Sequence, residues 1–124
     1  MIKIQIPQAD ISITERKQPR GSEEPKIKSI QGFIDLHEIP RDKGGIILFY
    51  NINDELLFVG KARKLRQRVK KHLEDTVSPL RNHRGEVYRI DVAIVEDAMD
   101  RDIYETYIIN KLQAKYNVDK VFYK

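Results

Sequence analysis

An α+β domain is expected over residues 41–124, with elements in the order β-β-α-β-α and helices packed on a small sheet. Residues 1–40 precede it as an N-terminal extension. Three observations predict this. Two short apolar runs, GIILFY at 45–50 and ELLFV at 55–59, flank the turn-rich NIND and read as a β-hairpin. A basic segment follows in which Leu65, Val69 and Leu73 recur every fourth residue, the stripe of an amphipathic helix from Lys64 to about Glu74. Then VYRIDVAIV at 87–95 alternates and becomes continuously apolar, as a partly central strand does. A second helix is expected after it, from Ala98 to about Lys115.

The extension reads less sharply. Ile2, Ile4 and Ile6 alternate as a short strand, and Ile11 and Ile13 resume the period of two after a turn at Pro7 to Asp10. Lys17 to Pro25 is a polar loop with one Gly and two Pro. Between Ile27 and Ile39, the residues Ile30, Phe33, Ile34 and Leu36 suit a short helix that Pro40 would stop. In the main region Gly44-Gly45 breaks the chain before the first strand and Gly60 ends the second. Asp75 to Glu86 is a polar loop, and Asp97 is placed to cap the second helix.

Composition excludes several classes. There is no cysteine, so disulfides, thiolate zinc sites and thiol nucleophiles are out, in keeping with a cytoplasmic protein. No apolar run approaches the ~18 to 20 residues of a membrane span, and MIKIQIPQAD has no secretion-signal pattern. The net charge of +4 becomes informative once located. Residues 1–40 hold six basic and six acidic residues, and residues 41–124 hold 17 and 13. Lys61 to Lys71, KARKLRQRVKK, has seven basic residues in eleven and no acid. One concentrated basic element on an otherwise slightly acidic body suits a polyanion site. A solvated helix face is the plainer alternative.

Three positions ask for chemistry. Glu105 lies mid-way across the apolar face of its helix, among Ile108, Ile109 and Leu112. A carboxylate there must be paired, protonated or bound to a cation. An i,i+4 pair with Arg101 would satisfy it, and so would a metal or a catalytic role. Arg68 and His72 stack four apart beside the apolar stripe of the basic helix, where packing would hold them toward a phosphate. Arg66 and Lys70 fall on the other flank and are expected in solvent. Gly60-Lys61, just before the helix, would place a cation and free amides near an anion. No Walker glycine pair is present, which excludes a nucleoside triphosphate loop.

Together, GIILFYNINDELLFVGKARKLRQRVKKHL and IYETYIINKL resemble the GIY-YIG nuclease family, and within it the N-terminal nuclease domain of UvrC. The resemblance spans about residues 40–119. The first motif's glycine falls on Gly45, and the second motif matches Phe58-Val59-Gly60-Lys61-Ala62. The family's arginine falls on Arg68, its Tyr/His position on His72, its metal-binding glutamate on Glu105, and its asparagine on Asn117, twelve residues on. Both motif tyrosines are replaced, by Ile47 and Phe58, which carry no group that donates, accepts or takes a proton.

The resemblance implies a three-stranded, mainly antiparallel sheet flanked by helices. It implies a metal-dependent DNA endonuclease of repair or DNA processing, weakened by the lost phenols, with one Mg²⁺ or Mn²⁺ at Glu105. Arg68 would neutralise the phosphoryl oxygens and His72 would act as general base through a water. Lys61 would bind the phosphate or acidify that water, and Asn117 would orient Glu105 or the metal shell. Arg63, Lys64, Arg66, Lys70 and Lys71 would contact the DNA backbone. Two other readings stand beside it. One is a catalytically silent GIY-YIG-like module that binds DNA or a repair partner. The other is a structural domain in which Arg101 and Glu105 simply pair. DNA is the implied partner, with a repair protein or a second copy of the chain as further candidates and no membrane.

Overall fold

A computed structural model describes residues 3–15 and 31–123. Four strands form one sheet: β1 (Ile11–Thr14), β2 (Gly45–Tyr50), β3 (Leu56–Ala62) and β4 (Arg89–Ile94). Their order is β1-β4-β2-β3, with every neighbouring pair antiparallel. Helix α1 (Leu65–Glu74) covers one face and α2 (Ala98–Leu112) the other. Among the described residues no helix is long and apolar enough to cross a membrane.

The central strand explains the unbroken apolar run GIILFY. Side chains alternate across a strand, and here both faces are covered. Ile47 and Phe49 join Leu65, Val69 and Leu73 of α1 in one core, with Phe33, Leu36, Ile39, Ile90 and Val92. Ile46 and Leu48 join Val59, Ile108 and Ile109 in the other. Gly45 lies between two neighbours, opposite Ala62 of β3 and Ile94 of β4. A Cβ there would overlap the Ala93 carbonyl oxygen, so the position admits only hydrogen.

The extension supplies what the three-stranded expectation lacked. β1 pairs with the outer edge of β4, Ile13 opposite Ile90, and its Ile13 side chain is buried in the α1 core. The strand expected at Ile2 to Ile6 does not form over the described residues 3–9. Ile6 instead packs part-buried against the α2 core. Of the expected polar loop at 17–25 and helix at 27–39, residues 16–30 lie outside the described residues. From 31 onward the helix is absent: Gln31 and Gly32 take left-handed backbone, which an α-helix cannot include, and only a 3₁₀ turn at Leu36–Glu38 follows.

Two boundaries also move. β3 runs through Gly60 to Ala62, because Lys61 and Ala62 keep pairing with Ile46 and Gly45. α2 stops at Leu112, where Gln113 is left-handed with φ 51°. The next residues then bond the free edge of β3: the Lys115 amide donates to Leu56 O (3.1 Å) and the Tyr116 amide to Leu57 O (2.7 Å). Asp97 caps α2 as expected, accepting the Asp100 amide at 3.0 Å.

Arg66 is not a solvated lysine-like charge. Its Nε donates to Ile39 O (2.8 Å) and its Nη2 to His37 O (2.6 Å), tying the 3₁₀ turn to α1. Arg66→Ala is therefore expected to cost about 1–3 kcal/mol, read as a lower urea midpoint, since two carbonyls lose a charged donor. An unchanged midpoint would mean the turn does not depend on it.

Candidate nucleic-acid interface and carboxylate site

Basic residues at the start of α1 and along it share one exposed face. Arg63, Lys64, Gln67, Arg68 and Lys71 line a shallow groove of about 310 Å³. Arg68 and Lys71 also border a second, of about 470 Å³, completed by His72, Asp75, Val77 and Ser78. The structure thus brings Arg68 and His72 together as their spacing predicts. Arg63, Lys64, Arg68, Lys70 and Lys71 are exposed, while Arg66 is spent on the turn carbonyls.

The start of α1 is not an open anion site. The Leu65 amide donates to Lys43 O (3.0 Å) and the Arg66 amide to Pro40 O (3.2 Å). The site depends on side-chain charge rather than free backbone amides.

His72 forms the floor of the second groove. Its Nδ1 is hydrogen-bonded with Ser78 Oγ at 2.7 Å, and Ser78 Oγ also accepts the Leu80 amide. The loop is shaped by Asp75, whose Oδ1 accepts the amides of Ser78 (3.0 Å) and Val77 (3.3 Å). The imidazole packs on Phe58 (centroids 5.0 Å apart) and edge-on to Phe49 (5.5 Å). A Cβ on Gly60 would lie 3.2 Å from His72 Nε2, so glycine lets the ring approach β3. Burial, followed by the Arg68 charge, holds the His72 pKa down at about 4. At neutral pH the ring is uncharged, and it is a weak base.

That depression sets a pH dependence. The unfolded chain takes up a proton near pH 6.5 and the folded chain only near 4, so stability is full above 6.5 and falls as pH drops through this window. A shift of this size corresponds to about 2–3 kcal/mol after allowance for partial exposure. Urea midpoints at pH 7 and 4.5 should differ accordingly, and His72→Gln should remove that part of the difference. An equal pH dependence in the variant would refute the assignment.

The two positions where the resemblance expects a phenol are filled with core. Ile47 is fully buried and opposite Gly60, and Phe58 packs against Phe49 and His72. Tyr50 does not replace either: it packs with the α2 core, and the Arg89 guanidinium sits 4.1 Å above its ring.

The acidic site lies on the other face. Successive residues of β3 point to opposite sides, so Gly60 meets His72 while Lys61 turns to α2 and pairs with Asp102 at 2.7 Å. Lys61 therefore does not share the groove of Arg68 and His72. Glu105 is nearly buried, at 12% side-chain exposure, and pairs with Lys120 Nζ at 2.8 Å. Lys120 also bonds Asp102. These two ammonium groups hold the Asp102 carboxyl down at about 2. The alternative pairing with Arg101 does not occur: Arg101 Nη1 donates to Val95 O and Glu96 O, both at 3.0 Å. Asn117 does not reach Glu105. Its Oδ1 accepts the Val59 amide (2.9 Å) and its Nδ2 donates to Val59 O (3.0 Å), extending the cover on the β3 edge.

Asp102, Lys120 and Ser78 escape the sequence reading. Asp102 and Glu105, three apart on one helix, carried a faint signal. Nothing local marks Lys120 or Ser78, which reach their partners through the folded chain.

One or two carboxylates are what magnesium ordinarily takes from a protein, so the donor chemistry is suitable. The charge is not. Lys120 lies against both carboxylates and Lys61 against one. Among the described residues, no group of three His, Asp or Glu ligand atoms gathers at Glu105. As arranged, the carboxylates are neutralised and do not fit a divalent cation.

Comparison with known proteins agrees with this architecture. A family model described as the UvrC-like GIY-YIG domain matches residues 43–118. An uncharacterized protein YurQ of Bacillus subtilis is 68% identical over 124 residues, covering 100% of both chains. UvrABC system protein C of Methanospirillum hungatei is 34% identical over 91 residues, covering 69% of this chain and 17% of that one. The matching protein of Nautilia profundicola is 31% identical over 85 residues, 62% of this chain and 14% of that one. This chain thus corresponds to a small part of those UvrABC proteins. In structure it is similar to the GIY-YIG N-terminal endonuclease domain of UvrC from Thermotoga maritima, bound to its catalytic divalent cation magnesium. That likeness has a TM-score of 0.59 at 22% identity, covering 68% of this chain and 97% of that one.

Proposed function

The chain belongs to the UvrC-like GIY-YIG family, and from that premise we propose that it binds DNA through the exposed face of α1, as a module in which phosphodiester cleavage is suppressed. The observation that carries this is the pair of adjoining grooves sharing Arg68 and Lys71, with Arg63 and Lys64 continuing the same face. Four cations on one exposed face suit a phosphate backbone, which gives affinity without sequence preference. Suppression follows from chemistry. Ile47 and Phe58 have no hydroxyl, His72 is a weak base, and Glu105 is held by Lys120. Loss of one general base alone costs about 10² to 10⁴ in rate. In this reading residues 41–124 are the binding unit, and 1–40 an extension that lends it an edge strand.

Fluorescence anisotropy with labelled duplex and branched DNA tests the binding. Affinity should fall steeply between 50 and 200 mM salt, as roughly four phosphate contacts require. Salt-insensitive binding, or none, would overturn it.

A second reading is a slow metal-dependent endonuclease of repair or DNA processing, resting on the resemblance at Arg68, His72 and Glu105 alone, since the sheet sets Glu105 apart from the other two. It requires Mn²⁺-dependent nicking of supercoiled DNA that Glu105→Ala abolishes. Nicking that survives that substitution, or its absence with every metal and substrate, would exclude it.

A further inference from the structure

We propose that Lys120 is the resident cation of the Glu105 carboxylate, and that a divalent ion reaches this site only by displacing it. The proposal rests on Glu105 standing at the family's metal position, and not on DNA binding.

Lys120 is placed with care. Its backbone is left-handed, φ 61°, a conformation that residues other than glycine seldom adopt and that persists only where the surroundings impose it. The surroundings here are Asn110. Its Nδ2 donates to Lys120 O (2.8 Å) and its Oδ1 accepts the Phe122 amide (2.6 Å), so the segment is pinned to α2 on both sides of the turn. The ammonium then reaches Glu105 at 2.8 Å and also bonds Asp102. Asp102 is held in turn by Lys61 at 2.7 Å. Two carboxylates and two ammonium groups close the charge balance. With Glu105 nearly buried, a lysine is the means by which its charge is tolerated.

An ion entering this cluster meets a like charge at hydrogen-bond distance from its ligand. Removing that charge should open the carboxylates. Lys120→Gln and Lys120→Met remove the charge on side chains one heavy atom shorter, and leave the Asn110 bonds to the backbone untouched. Lys120→Arg keeps the charge.

Mn²⁺ binding to the full chain, followed by electron paramagnetic resonance and calorimetry, reads this directly. Lys120→Gln and Lys120→Met should bind Mn²⁺ about tenfold more tightly than the parent, or better. Lys120→Arg should stay at the parental affinity, and Glu105→Gln should abolish the gain. Equal affinities in the parent and both neutral variants, all dependent on Glu105, would overturn the role of Lys120 while leaving Glu105 a metal site. Equal gains in the Arg and neutral variants, or a gain that survives Glu105→Gln, would also overturn it. If no variant shows Glu105-dependent binding, both the role of Lys120 and the metal position fail, while DNA binding by α1 is unaffected.

Discussion

Gly45→Ala should cost the fold about 4 kcal/mol or more, lowering the melting temperature by about 15 °C or preventing folding. The added Cβ would overlap the Ala93 carbonyl oxygen and lie 3.2 Å from Ile94 Cα. Neither can retreat, because β4 is held between β1 and β2, and Gly45 itself between β3 and β4. A domain of this size has only about 5–15 kcal/mol in reserve, so a clash between paired backbones uses much of it. Gly85→Ala is the control, since a Cβ there meets nothing within 4 Å, and it should change stability by no more than about 0.5 kcal/mol. Thermal melts of both decide the point. A Gly45→Ala melt within a few degrees of the parent would mean that the sheet yields at its centre.

Replacing Lys64, Arg68 and Lys71 together by glutamine should weaken DNA binding about a hundredfold at 0.15 M salt. Each phosphate contact releases condensed counterions and contributes about −0.9 to the slope of log affinity against log salt. Losing three should flatten the slope by about 2.7. The triple variant should fold normally, because all three side chains are exposed, whereas the α1 core uses Leu65, Val69 and Leu73. Arg66→Ala makes the contrast sharp: it should lower stability while leaving the salt slope unchanged, since its guanidinium is bonded to Ile39 and His37 carbonyls. A triple variant with the parental slope would show that DNA, if bound, lies elsewhere.

The elements whose pattern is local were readable from sequence. GIILFY, the Leu65/Val69/Leu73 stripe and the Asp97 cap each carry their own period or end signal, and each forms where expected. β1 is not legible as a member of the sheet because nothing in ISIT names its partner: the pairing with β4 spans some eighty residues. For Glu105, the sequence made the need for a counter-charge plain but suggested the neighbour one turn away. The structure answers with Lys120 from beyond the helix, because Arg101 already serves the carbonyls at the helix start. Arg66 departs from its expected place for a similar reason. A helical wheel separates wet from dry, but it does not show that another segment offers carbonyls to the wet side.

The cover over β3 bears on how copies of this chain can assemble. An outer strand with open amides and carbonyls invites a neighbouring molecule to add a strand of its own, the common route to dimers through a shared sheet and to aggregates. On β3 the carbonyls of Leu56 and Leu57 and both backbone groups of Val59 are taken by Lys115, Tyr116 and the carboxamide of Asn117. A homodimer formed through that side is disfavoured. Cutting the chain after Ala114 would reverse this, leaving a hydrophobic strand unshielded. Such a truncated protein should lose solubility before it loses secondary structure.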